Sequence, residues 1–211
     1  MTGLATLLTL ADSRLPVGSH VHSGGLEEAV TSGLVADLPT LEAFLVRRIR
    51  SHGLVTASIA AAVHRGDLTI DAADGQADAC TPAPAARQAS RSQGRGLARL
   101  ARRVWPAAHW DALGPQPHLA VAAGPVGAAS GLTPEHNALT LVYTAMTGSA
   151  TAAQRLLALD PADVAALTFQ LAELCERTAA EAAAGPTVLC DPLLDTLAQR
   201  HATRERPLFA S

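Results

Sequence analysis

The chain has 211 residues, within reach of a single hydrophobic core, and its 45 Ala, 30 Leu, 13 Val and 3 Ile favour helix over strand. It has no lysine; all 16 basic residues are arginine, which excludes a Walker phosphate loop, Schiff-base chemistry and a Ser–Lys pair. A net charge of −3 argues against a nucleic-acid binder, and three scattered cysteines without a CxxC pattern describe a reduced, cytoplasmic protein.

The first dense cluster of turn-forming residues is the segment 12–28, DSRLPVGSHVHSGGLEE. Pro16, Gly18, Gly24 and Gly25 impose a structured loop there, and Ser23 is placed to cap a helix entered at Leu26 to Val30. Pro39 opens the next helix, with Leu41, Phe44, Leu45 and Ile49 as its buried stripe and an end near Gly53. A separate helix follows from Leu54 to Arg65, closed by Gly66. Cys80 to Ala86 reads as a loop, and a helix then carries Arg87 to Arg103.

The apolar stretch Leu119 to Leu132 contains Pro125 and is too short to cross a bilayer. Its Gly124, Gly127 and Gly131 make a small-residue face suited to close helix packing. Three cap-plus-proline pairs then mark helix starts: Thr133-Pro134, Asp160-Pro161 and Asp191-Pro192. The first is expected to run to about Leu159 and the second to Gly185-Pro186. No stretch alternates with period two between hairpin turns. The expected fold is therefore an all-α, single-domain bundle of about eight to ten helices, with 201–211 as a docking tail outside the core.

Catalytic patterns are thin: neither GxSxG nor HExxH is present, and Cys175 lies in a buried helical stripe as a small hydrophobe. Neither an enzymatic activity nor a cofactor is expected. His20 and His22 lack further ligands nearby in sequence, so no metal site is assigned to them. Six arginines, Arg87, Arg91, Arg95, Arg99, Arg102 and Arg103, lie between Asp78 and Asp111 with no acidic residue among them. Four are spaced i, i+4 along one helix face, which needs acidic groups from elsewhere in the chain or from a partner. The candidate partner-contacting residues are Arg91 and Arg95 on this face and His22, Ser23, Gly24, Gly25 and Glu27 around the loop. In the tail they are Arg204, Arg206, Leu208 and Phe209.

The segment 7–27, LLTLADSRLPVGSHVHSGGLE, resembles the N-terminal signature of the urease accessory protein F (UreF) family. The similarity continues through SRSQGRGLARL (90–100), the stretch Pro117 to Leu132, and the tail with Pro192 to Asp195, His201 and Leu208-Phe209. The resemblance implies a non-catalytic, all-α, dimerising adaptor that binds a UreD/UreH scaffold protein and the UreG GTPase. Together these would insert nickel into apo-urease. A different reading is a histidine-based nickel metallochaperone using His20, His22 and His201 or Cys190.

Overall fold

The computed structural model describes residues 3–17, 22–205 and 207–209. Among the described residues the regular structure is all helical, with no β-strand. The elements are α1 (Leu4–Leu10), α2 (Leu26–Thr31), α3 (Leu38–Arg48), a π-helical turn (Ile49–Gly53) and α4 (Leu54–Arg65). They continue with α5 (Ile70–Cys80), α6 (Pro84–Val104), a 3₁₀ turn (Asp111–Leu113), α7 (Leu119–Ala129) and α8 (Pro134–Leu157). The last three are α9 (Pro161–Gln170), α10 (Ala172–Ala184) and α11 (Pro192–His201).

The three cap-plus-proline signals all start helices. Thr133 accepts the His136 amide at 3.1 Å, Asp160 the Ala162 amide at 2.8 Å, and Asp191 the amides of Leu193 and Leu194 at 3.1 and 3.2 Å. Each cap satisfies backbone donors that the first helical turn leaves open. At α3 the cap is Asp37, which forms a reciprocal box with Thr40, while Pro39 sits in the first turn.

Several boundaries differ from the sequence reading. The helix opened near Pro39 does not end at Gly53. The backbone stays helical through the π turn and emerges as α4, because Gly53 keeps right-handed dihedrals. Conversely, the helix begun at Asp160 is interrupted at Leu171, giving α9 and α10. The expected loop at 80–86 shrinks to Thr81–Ala83, since Cys80 ends α5 and Pro84 opens α6.

α4 is the central helix, packing against α7, α8 and α10, and α6 lies on α7. Small residues allow this closeness. A Cβ on Gly124 would stand 2.6 Å from the Val63 side chain of α4, and one on Gly127 would stand 2.3 Å from Asn137 of α8. Gly131 is not part of that face; with φ +73° and no neighbour it is a turn residue. The core is aliphatic, with Leu26, Leu41, Leu45, Ile49, Ile59 and Met146 fully buried. Cys175 is buried against Met146, where its surroundings push the thiol up to about 11.

Candidate functional site

α2 is only 6 residues long, yet it gathers most of the loop and tail candidates. Its N-terminus is built by the glycines: Gly24 and Gly25 adopt φ +64° and +86°, a left-handed conformation that glycine enters without strain. Ser23 caps from two residues upstream of the formal N-cap, its Oγ accepting the Glu27 amide at 3.3 Å. Ser149 of α8 in turn donates to the Ser23 carbonyl at 3.0 Å.

Glu27 is buried, and its carboxylate receives the tail. His201 Nε2–H donates to it at 2.7 Å, and the backbone amides of Leu208 and Phe209 donate at 2.9 and 3.0 Å. Burial alone would raise the Glu27 pKa, but the Leu208, His201 and Phe209 hydrogen bonds outweigh it and hold the carboxyl below its usual value. Beside it, Glu28 pairs with Arg200 at 3.2 Å and with Arg204 at 3.1 Å, and Arg204 also donates to Thr31 Oγ1 at 2.8 Å.

The tail therefore departs from the expectation that everything from His201 onward lies outside the core. His201 is buried as the last residue of α11, and Phe209 packs on the core, whereas Leu208 is 78% exposed. The physical reason is the acceptor: a buried carboxylate needs donors, and the tail amides supply them. His20 and Arg206 lie outside the described residues. His22 is half-buried and lines a cavity.

The arginine face divides in two. Arg91 grips Asp74 of α5 through both terminal nitrogens, at 3.2 and 2.8 Å, and reaches Asp78 at 3.1 Å. Arg87 lies 3.6 Å from Asp78 and donates to the Thr81 carbonyl. These two are thus met by the chain's own carboxylates. Arg95, Arg99, Arg102 and Arg103 are exposed, and among the described residues no carboxylate pairs with them.

Asp74 and Asp78 at i, i+4 face Arg87 and Arg91 at i, i+4. That spacing was readable in the sequence, though the helix pairing was not.

Behind this pair, His118 is buried with Nε2 2.9 Å from Asp78 and Nδ1 2.9 Å from the Ser90 hydroxyl. Burial outweighs Asp78 and lowers its pKa, so the ring is neutral, donating from Nε2 and accepting at Nδ1. The ligand atoms of Asp74, Asp78 and His118 lie within 4.8 Å of one another. They do not suit a metal: the Arg91 and Arg87 guanidinium groups already offset the two carboxylates, and both ring nitrogens are engaged.

The UreF family profile matches residues 35–172, two-thirds of the chain. The chain belongs to the UreF family. It is 78% identical over its full length, and the full length of the relative, to the urease accessory protein UreF of Mycobacterium marinum. With the same full coverage it is 74% identical to the UreF of Mycobacterium bovis (strain BCG / Pasteur) and 73% identical to that of Mycobacterium sp. (strain JLS). Its general role is thereby in urease maturation. No described helix is long and apolar enough to cross a membrane.

Proposed function

We propose that this UreF-family chain is a non-catalytic, cytoplasmic adaptor in the complex that inserts nickel into apo-urease. It binds a UreD/UreH scaffold protein, recruits the UreG GTPase, and works as a homodimer within that assembly. The observation that carries this reading is the outer half of the α6 face. Arg95, Arg99, Arg102 and Arg103 stand in solvent without a carboxylate from the described chain. Like charges along one helix repel mildly on their own, and an acidic partner surface relieves that repulsion while steering association.

The metallochaperone reading has no comparable support. His201 is engaged by Glu27, and Cys190 is exposed on another part of the chain.

The test is Arg95→Glu combined with Arg99→Glu, assayed for co-purification with the UreD/UreH and UreG homologues at low and high salt. The expected outcome is an unchanged melting temperature with salt-sensitive loss of one partner. Retention of both partners at wild-type level would overturn the assignment of this face.

A further inference from the structure

Arg48 is a half-buried cation that no described carboxylate holds in a salt bridge. Its Nε–H donates to the Ala145 carbonyl at 3.1 Å and Nη1–H to the Gly24 carbonyl at 3.0 Å, both neutral acceptors. Among the described residues no carboxylate forms a salt bridge with it. The acid nearby in the fold, Asp191, is held by Arg47 at 2.8 Å and by the first turn of α11. A guanidinium has five N–H donors, so Arg48 retains three. Burial lowers its pKa to about 10, which still leaves it charged at neutral pH.

Arg48 lines a cavity of about 40 Å³, which holds roughly three water-sized atoms. No acidic residue lines this cavity. Its walls include His52, Thr56 and Gln93, and neither the His52 ring, the Thr56 hydroxyl nor the Gln93 amide bonds to another described residue. The same four side chains also border a larger cavity of about 100 Å³.

The backbone is specialised at this place. His52 lies in the π-helical turn between α3 and α4, and π turns are rare and concentrate at functional sites. Arg48, His52 and Thr56, spaced i, i+4, i+8, run along one side of this continuous helical segment and line one cavity.

We infer that the Arg48–His52–Thr56–Gln93 cavity is a binding site for a small trigonal oxyanion of the size of formate or nitrate. The Arg48 fork matches a planar anion bidentately, and the neutral His52 ring, the Thr56 hydroxyl and the Gln93 amide complete a donor shell, the lining carboxylates Asp191 and Asp195 belonging to the larger cavity alone. The site is separate from the α6 face and from the tail, and it does not depend on the adaptor role.

The test is titration of the full-length protein with ¹³C-formate at constant ionic strength, read by formate line broadening and by thermal shift, with nitrate as competitor. Arg48→Gln should abolish binding but also removes two structural hydrogen bonds. Thr56→Val and Gln93→Leu leave those bonds intact and decide the matter. Saturable, nitrate-competed binding that weakens about tenfold in each of these two variants is the expected result. Non-saturable broadening, equal stabilisation by chloride, or wild-type affinity in both variants would overturn the inference.

Discussion

Replacing Glu27 with alanine would remove the acceptor that joins α2 to the C-terminal tail. Glu27 is 2% exposed, and its partner His201 is 3% exposed. The substitution therefore leaves a buried ring N–H and the amides of Leu208 and Phe209 without their carboxylate. It also leaves Arg204, whose Nε lies 3.8 Å from Glu27, with Glu28 and the Thr31 hydroxyl as its partners. Leaving three donors without their carboxylate acceptor costs about 3–5 kcal/mol, because the surviving N–H groups stay desolvated. In a chain of this length each kcal/mol lowers the melting temperature by roughly 2–4 °C, so a fall on the order of 10 °C is expected.

Glu27→Gln keeps the shape and one acceptor oxygen but loses the charge. It should lie between wild type and alanine, at about 2 kcal/mol. Thermal unfolding followed by circular dichroism measures the cost. Hydrogen exchange at Leu208 and Phe209, with tryptic cleavage after Arg204, reports whether the tail has left its seat. The reasoning fails if Glu27→Ala keeps the wild-type melting temperature and the two tail amides stay protected.

Stability should fall in acid. The folded Glu27 pKa lies below the ordinary 4.5, so its contribution is present above that value and is lost as pH drops through the folded pKa; a pH series of melting temperatures checks it, and Glu27→Gln should flatten the curve. Arg91→Glu should destabilise the fold by about 1–3 kcal/mol by removing the partner of Asp74 and Asp78, in contrast to the exposed Arg95, where reversal should leave denaturant midpoints unchanged. Gly24→Ala places a Cβ 2.3 Å from an Arg48 guanidinium pinned by two carbonyls, at φ +64°, and should cost about 1–3 kcal/mol. Gly33→Ala, at φ +74° but in open space, is the control for backbone strain alone and should cost less in the same urea melts.

The tail makes an internal contact that leaves one apolar side chain in solvent. Leu208 stays in solvent while its amide is tied to Glu27, so an apolar partner could take the side chain without breaking the latch. Phe209 is already packed inward. Truncation of the tail would therefore disturb both the fold and any docking, which makes the Glu27 variants the cleaner probe.

The amino-acid sequence by itself determined the helical class, most helix starts and the family. Its caps act over two or three residues: Thr133 on the His136 amide, Asp160 on Ala162 and Asp191 on Leu193. Such contacts are complete within one helical turn, so a short window of sequence contains both partners. The left-handed turn at Gly24-Gly25 was legible for the same reason, since only glycine enters that conformation freely.

Tertiary structure decided which charges meet. Glu27 and His201 are 174 positions apart, Arg47 and Asp191 are 144 apart, and Arg48 and Ala145 are 97 apart. Nothing local distinguishes Arg91, which found two aspartates, from Arg95, which found none, because the outcome depends on where α5 crosses α6. Gly53 read as a helix stop because glycine often is one, yet α3, the π turn and α4 all pack against α8, and the chain runs through Gly53 without a break. Pairings of this kind are set by the angle and register of packed helices, which only the assembled core specifies.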